Sequence, residues 1–314
     1  MAAKKRKGLA KRVQGLARAT ASERASPLPP QRSCGTMSNH MRLLEMYPSF
    51  RDRLFKLETA TQKYRSTGLK IGSVPVATIK VVVHVVYNDP SQNISDAQIK
   101  SQISALNKDF RAKNTDKSRT PAAFKGLVCD SRVQFTLDHV TRTQTTKTSF
   151  ADDNGVKKAA TGGVAADDTT RFLNIWVCAL GGGLLGYAQF PGGPAATDGV
   201  VIHSRAFGTS GTVAAPYNKG RSATHEIGHY FNLRHIWGDT PDCSGSDMVA
   251  DTPNAAGPNF GKPAFPHVSC NNGPNGDMYV NYMDYVDDDT MFMFTTQQVA
   301  RMRATLDGPR RGLW

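Results

Sequence analysis

The chain has 314 residues, enough for one large domain or two small ones, and its 39% hydrophobic and 21% charged residues are ordinary for a globular protein. No apolar run approaches the ~20 residues that a membrane-spanning helix needs, so we expect a protein without a membrane span. The net charge of +13 is uneven, because residues 1–30 hold eight basic residues against Glu23 alone.

Residues 1–33 are basic and rich in Ala, Ser and Pro, which predicts a disordered tail. Such a tail can make non-specific contact with nucleic acid or an anionic membrane, or it can simply be solvated. It lacks the apolar stretch of a secretory signal peptide.

Residues 34–68 show a helical pattern that starts near Met37 and is interrupted at Pro48. Tyr64–Gly68 is polar and is predicted to be an exposed linker. A compact domain is expected from about residue 69 to residue 314.

Five apolar runs predict the strands of that domain, and Pro- and Gly-rich turns separate several of them. The first run is nearly all apolar, as in a central strand buried on both faces, and His84 inside it is expected to be a core histidine. Ser95, with Gln98 three residues later, predicts the start of a capped helix. The five runs are 79–87, 133–137, 172–178, 184–190 and 199–203.

The run HEIGH at 225–229 is an HExxH pattern, and His235 follows six residues after His229. On a helix, His225 and His229 project from one face and can bind one Zn²⁺ at about 2.0–2.1 Å. Glu226 is better placed to hold a metal-bound water and take its proton. An HExxH pattern alone also arises by chance, but the third histidine favours a three-histidine zinc site with an open fourth position.

A third ligand at 235 requires a sharp turn after the zinc helix. Asn232 lies where that turn is needed, and Asn tolerates the left-handed conformation best after Gly. Ser222 or Thr224 is the expected N-cap of the helix.

Residues 238–278 are rich in Gly, Pro, Asn and Asp, and so long a loop is usually functional or braced. Several side chains offer oxygen ligands for Ca²⁺, although solvated turn carboxylates would look the same. They are Asp239, Asp242, Asp247, Asp251 and Thr252, of which the last three are the candidate calcium ligands. Cys243 and Cys270 flank much of the loop and are candidates for a disulfide, which would imply an oxidising compartment. The pairing of Cys129 and Cys178 stays open.

The run NYMDY at 281–285 follows the loop, and here the sequence resembles the metzincin metallopeptidases of the pappalysin family, which includes the cytophagalysins and ulilysin. The resemblance rests on the HExxH…His235 pattern, on WGD at 237–239, on DTP at 251–253 and on NYMDY. It implies an α+β catalytic domain with a twisted, mixed five-stranded sheet and a zinc helix at the cleft. The upper subdomain would be 70–235, and an irregular lower subdomain, 236–314, would carry a Met-turn.

The resemblance also implies roles for single residues. His225, His229 and His235 would be zinc ligands, Glu226 the general base and Met283 the Met-turn methionine below the metal. Tyr285 would stabilise the oxyanion of the tetrahedral intermediate. Asp288 would favour Arg or Lys on the primed side of the scissile bond. The edge strand, with Leu185, Gly186 and Tyr187, would pair with an extended substrate.

Residues 34–68 would then be a pro-segment, in which the Cys34 thiolate is an inhibitory fourth zinc ligand and Arg65-Ser66 a self-cleavage point. We therefore predict a secreted or extracytoplasmic, monomeric zinc endopeptidase that acts on proteins or peptides. The alternatives are a non-catalytic zinc-stabilised binding module, which would need neither Glu226 nor Tyr285, and a nucleic-acid-associated protein that binds through its basic tail.

Overall fold

A five-stranded sheet with the strand order β2-β1-β3-β5-β4 organises the protein. The computed structural model describes residues 28–68 and 71–314, so most of the predicted basic tail lies outside the described residues. The strands are β1 (Ala77–Tyr87), β2 (Val133–Gln144), β3 (Leu173–Cys178), β4 (Gly186–Ala188) and β5 (Val200–His203).

The sheet is mixed, as predicted. β1, β2, β3 and β5 run parallel, whereas β4 is antiparallel to β5 and forms one edge. β1 lies inside the sheet, between β2 and β3, and is largely buried on both faces, as its β-branched sequence indicates. His84 is a core histidine, because its ring nitrogens lie 2.8 Å from the Thr141 hydroxyl and 2.9 Å from the Asn174 side-chain oxygen.

Six α-helices accompany the strands among the described residues. The predicted interruption at Pro48 separates two of them, since Pro48 is the first residue of the second helix. The helices are α1 (Thr36–Met46), α2 (Pro48–Ser66), α3 (Asp96–Phe110), α4 (Ala122–Lys125), α5 (Arg221–Tyr230) and α6 (Thr296–Asp307).

Three local predictions need correction. The exposed linker at 64–68 is wrong in part, because α2 continues through Ser66. Strand β2 runs to Gln144 and is therefore seven residues longer than the predicted run 133–137. Ser95 caps α3 as predicted, but the Gln98 side chain does not return to the cap and instead donates to the carbonyls of Ser204 and Phe207.

The lower part of the chain is mostly irregular, with the short pair β6 (Phe260–Gly261) and β7 (Tyr285–Val286) before α6. One apolar core nevertheless joins both parts, since Val83, Ile227, Met283 and Val299 belong to the same cluster. Of the helices in the described ranges, none combines the length and hydropathy needed to cross a bilayer.

Candidate active site

Helix α5 carries two of the predicted site histidines and is buried along its whole length. It begins after Gly220, whose φ is +76°, and no side chain caps it, so the predicted cap at Ser222 or Thr224 is wrong. The two hydroxyls are used elsewhere: Ser222 accepts from Arg32, and Thr224 donates to Asp109.

The three histidines meet at their Nε2 atoms. The Nε2 of His229 lies 3.2 Å from that of His225 and 3.1 Å from that of His235, and the third distance is 3.3 Å. A tetrahedron of ligands at zinc–nitrogen distances of 2.0–2.1 Å has edges of about 3.3 Å. The nitrogens therefore already stand at the separations that one zinc ion requires.

The other ring nitrogen of each histidine is held by an acceptor. Nδ1 of His225 lies 2.8 Å from the Tyr282 carbonyl, Nδ1 of His229 lies 2.8 Å from the Leu233 carbonyl, and Nδ1 of His235 lies 2.5 Å from a carboxylate oxygen of Asp239. With Nδ1–H as the donor, each Nε2 keeps its lone pair for a metal. Burial, with neighbouring histidines as a smaller cause, lowers the pKa of His225 and His229 well below the usual value.

Asn232 makes the turn between the second and third histidines. Its φ is +74°, in the left-handed region as expected. The turn brings His235 back to the helix, where its ring stacks on Trp237 at a centroid distance of 4.3 Å.

Met283 is fully buried directly beneath α5. A Cβ atom at position 228 would lie 2.4 Å from the Met283 Sδ, so any residue other than glycine would displace the Met283 side chain. The adjacent residue Tyr282 supplies the carbonyl that orients His225.

Glu226 points into the cleft but is covered by the N-terminal segment, residues 28–68. Its Oε2 accepts a 2.8 Å hydrogen bond from the Thr36 hydroxyl and lies 3.3 Å from the Cys34 Sγ. Burial raises the pKa of Glu226 to about 7. The Cys34 Sγ also belongs to one group with the histidine nitrogens, in which all ligand atoms lie within 4.8 Å of one another.

The N-terminal segment pairs with the edge strand. Cys34 and Gly186 form a parallel bridge, in which Leu185 N donates to the Ser33 carbonyl and Gly35 N to the Gly186 carbonyl, both at 2.9 Å. Position 186 also has no room for a side chain, because a Cβ there would lie 2.8 Å from the Glu226 Cγ and 2.8 Å from the Val201 carbonyl oxygen. The Tyr187 side chain is buried on the other face of the sheet, so only its backbone faces the segment.

Asp288 lies at the base of a buried pocket that Arg32 fills. The Arg32 Nη2 donates to the Asp288 Oδ1 at 2.5 Å, Nη1 to the Ser222 hydroxyl at 3.0 Å and Nε to the Val286 carbonyl at 3.2 Å. The Asp288 Oδ2 is held by the backbone N–H of Lys219 at 2.7 Å. One carboxylate oxygen is thus fixed by the protein, and the other receives the guanidinium.

Tyr285 lies beside the histidines. Its ring centroid is 5.0 Å from that of His235 and 5.7 Å from that of His225, and it also packs against Trp237. Burial, and then the charges of Cys34 and Glu226, raise the pKa of the Tyr285 hydroxyl well above its usual value. The Tyr285 hydroxyl therefore keeps its proton at neutral pH.

Cys243 and Cys270 form the predicted disulfide, whereas Cys129 and Cys178 are free thiols. The candidate calcium ligands are dispersed. The oxygens of Asp251 accept from Thr295 Oγ1 and Gln297 N at the start of α6, while Asp247 accepts from the Thr252 hydroxyl at 2.6 Å.

Sequence reasoning missed three residues that touch the site, namely Arg32, Thr36 and Asp239. Arg32 was assigned to the tail, although its partner Asp288 lies 256 positions away. Thr36 carries no local signal for a contact with Glu226. Asp239 is predicted only as part of WGD and as an oxygen ligand for Ca²⁺, and its position four residues after His235 is the signal that could have identified it as the partner of that histidine.

Comparisons with known proteins agree with this geometry. The family model described as pregnancy-associated plasma protein-A, peptidase M43, matches residues 163–307. An extracellular metalloprotease of Arthroderma benhamiae is 34% identical over 242 residues, which are 75% of this chain and 79% of that protein. One of Pyricularia oryzae is 34% identical over 246 residues, 75% of this chain and 77% of that protein.

Two solved structures are similar over long stretches. A mutant of Tannerella forsythia promirolysin has 44% identity and a TM-score of 0.82, and the match covers 90% of this chain and 97% of that chain. T. forsythia mature mirolysin in complex with a cleaved peptide has 49% identity and a TM-score of 0.75, with 76% and 96% covered.

The fold and these relatives define a zinc-dependent metalloendopeptidase of the metzincin class. Within that class the chain belongs to the pappalysin family, peptidase family M43. The alternative of a non-catalytic binding module is therefore wrong. The nucleic-acid alternative depends on a tail that lies almost wholly outside the described residues.

Proposed function

We propose that His225, His229 and His235 hold the catalytic zinc and that Glu226 is the general base of peptide hydrolysis. The observation that carries the proposal is the set of three Nε2 atoms at 3.1–3.3 Å from one another, with Glu226 at the same cleft. When bound, zinc supplies a Lewis acid that polarises the peptide carbonyl and lowers the pKa of water. Met283 forms the apolar floor below it.

The chain's own residues complete the reaction. The Glu226 carboxylate takes a proton from the attacking water and delivers it to the nitrogen of the leaving amine. The Tyr285 hydroxyl, kept protonated by its surroundings, donates to the oxyanion that develops on the former carbonyl. The free edge of β4, including Leu185, Gly186 and Tyr187, aligns the substrate backbone by β-augmentation.

Substrates carry Arg or Lys on the primed side of the scissile bond in this proposal. The support is the Asp288 pocket, in which Arg32 meets a carboxylate, a hydroxyl and a carbonyl with three different nitrogens. The Arg32 guanidinium also lies 5.1 Å from the centre of the Tyr217 ring. Such an arrangement fits a planar guanidinium better than an ammonium group.

Residues 34–68 act as a pro-segment, and 69–314 form the mature enzyme. The cover of Glu226 by Thr36 and Cys34 supports this division. The similar pro-form covers 90% of this chain and the similar mature form 76%, a difference of about the size of that segment. In this proposal the Cys34 thiolate occupies the fourth zinc position until the segment is cut.

Cleavage of the Arg65-Ser66 bond remains a prediction, and it requires a local change in α2. Both residues lie in the last turn of α2, and the Arg65 guanidinium donates to the Met248 carbonyl and to Gln297. A protease can reach this bond only after the end of α2 has unwound.

Calcium, secretion and a monomeric state are also part of the proposal. Asp247 supports calcium, because its carboxylate is buried with Thr252 as a side-chain partner and without a basic one. Calcium is expected to raise the unfolding temperature of the protein but not of Asp247→Asn, a result that calorimetry can check.

Secretion is supported by relatives named extracellular metalloproteases.

The decisive experiment is cleavage of an Arg-containing peptide by the processed enzyme with and without a zinc chelator, beside Glu226→Ala. We expect the chelator to abolish cleavage and zinc to restore it. The variant is expected to lose roughly 10²–10⁴-fold in kcat, as general bases do. Cleavage that survives both treatments would contradict the proposal.

A further inference from the structure

The N-terminal segment contacts the catalytic domain at a second place, on helix α6. The Glu58 carboxylate on α2 receives both terminal nitrogens of Arg301, at 2.9 Å and 2.5 Å. Further along the same helix, the Tyr64 hydroxyl donates to the Asp307 carboxylate at 2.6 Å. Two side chains of α2 thus bind two side chains of α6.

The contacts between α2 and α6 include a largely buried ion pair, as expected of a specific interface. The Arg301 side chain is 1% exposed although it carries a full charge, and Glu58 is its carboxylate partner. A two-point pair of this kind is among the strongest polar contacts in proteins, and breaking a buried one by removing a partner is costly. Leu57 and Thr61, on the same helix, are buried as well.

The α6 contacts are separate from those in the cleft. Glu58 and Tyr64 touch none of Arg32, Cys34 or Thr36, which block the active site. Between the two groups lies an apolar contact, in which Phe50 is fully buried and packs in one cluster with Phe190, just after the edge strand. The segment is therefore held at three places, and a cut at Arg65-Ser66 leaves Tyr64 and the other contacting side chains on the segment.

We propose that the face of α6 formed by Arg301 and Asp307 is a docking site that retains the cut segment on the mature enzyme as a non-covalent inhibitor. This inference rests on the proposed zymogen function and goes beyond it. The occupant is the cut segment of the same chain, of which the structure describes residues 28–65. Cutting the chain removes the covalent link but not the three contacts, so release requires dilution or further digestion of the segment.

The site also adjoins the zinc-binding turn. Arg301 Nε donates to the Asn232 carbonyl at 2.7 Å, and Asn232 is the left-handed residue between the second and third histidines. One arginine thus binds both the retained segment and the turn that positions His235. Variants for the test are therefore made in the segment alone, so that the mature domain stays identical.

The experiment follows the processed full-length protein by gel filtration and mass spectrometry, and then by activity after dilution. In the wild type we expect the segment to co-elute with the mature domain at micromolar concentration, and activity per molecule to rise several-fold on dilution. Glu58→Gln is expected to weaken retention roughly tenfold or more, because it removes the charge of a two-point pair. Glu45→Gln, an equal change at an exposed residue of α1, is expected to behave as the wild type.

Separation of the segment from the wild-type enzyme on the column would overturn the inference. Equal retention in the Glu58→Gln and Glu45→Gln proteins would overturn it too. The same holds if Cys34→Ala alone releases the segment while Glu58→Gln has no effect, since the cleft would then be the only binding site. Retention of the segment together with no peptidase activity even after dilution would contradict the proposed function and leave the docking site standing.

Discussion

The Thr36 hydroxyl and the Cys34 sulfur converge on one atom, the Oε2 of Glu226, at 2.8 Å and 3.3 Å. Thr36 also accepts a 2.8 Å hydrogen bond from the Ala188 backbone N–H at the end of the edge strand. One threonine therefore binds both the Glu226 carboxylate and the end of the edge strand. Under the proposed mechanism, the segment blocks the general base as well as the metal position.

Thr36→Val is expected to raise the basal activity of the uncut chain about tenfold, because a hydrogen bond to a charged group contributes roughly 1.5–3 kcal/mol. Cys34→Ala is expected to raise it as well, and the double variant to exceed both. Initial rates on a fluorogenic peptide measure the effect, with mass spectrometry to show that the chain is intact. Thr59→Val, whose hydroxyl bonds only within α2, is the control.

Asp288→Asn is expected to lower kcat/KM for peptides with Arg on the primed side by about 10–100-fold, the value of a charge-assisted hydrogen bond. Ser222→Ala is expected to lower cleavage before Arg more than before Lys, because Ser222 receives a second guanidinium nitrogen. Kinetics on matched Arg and Lys peptides measure both. Asp289→Asn, which loses a contact with Lys262, is expected to leave the ratio unchanged.

Asn232→Gly is expected to keep activity and stability, since glycine adopts a φ of +74° freely and the Asn232 side-chain nitrogen has no partner. Asn232→Ala is expected to cost up to about 1–2 kcal/mol, because alanine lacks the short polar side chain that makes asparagine tolerant of the left-handed conformation. Thermal unfolding and zinc content check this pair. If the two variants have the same unfolding temperature and zinc content, the positive φ at position 232 does not determine which residue is tolerated there.

Burial raises the pKa of Asp247 from 3.8 to about 7. Between these values the folded protein keeps a proton that the unfolded chain has released, so the free energy of unfolding falls as the pH rises through this window. The fall amounts to at most roughly 4 kcal/mol from one such group. Asn cannot lose a proton and so resembles the protonated form of Asp247. The Asp247→Asn variant is therefore expected to show no such fall in the free energy of unfolding.

Thermal unfolding at pH 4 to pH 8 without added calcium measures this difference. Asp242→Asn serves as the control, because the Ser244 hydroxyl lowers the pKa of Asp242 and keeps its titration below the window. A wild-type protein whose stability is flat between pH 4 and pH 7 would contradict the assignment.

Local sequence determined much of the site. The spacing of His225 and His229 fixes their common face, and the need to return to His235 fixes a left-handed residue at Asn232. The apolar runs gave the five strands because burial of β-branched residues is a local property of each run. The resemblance of NYMDY added Met283 and Tyr285, which spacing alone would have placed in the core.

The predictions that were wrong concern side chains whose hydrogen-bond partners lie far away in the sequence. Gln98 has the right offset for a capping box, but two carbonyls more than 100 positions away compete for its side chain. Ser222 has the right residue type for a cap, yet Gly220 begins the helix and Ser222 binds Arg32. Such contacts depend on the tertiary fold and leave no periodic signal in the chain.

The contact between Gly228 and Met283 has a consequence for assembly. A glycine in the middle of a helix costs about 1 kcal/mol relative to alanine, and a helix as short as α5, 10 residues, is marginal in isolation. The helix that presents His225 and His229 therefore depends on the packing of Met283 below it. Zinc uptake is accordingly expected to follow the docking of the C-terminal part of the chain, so the metal closes a site that folding has already arranged.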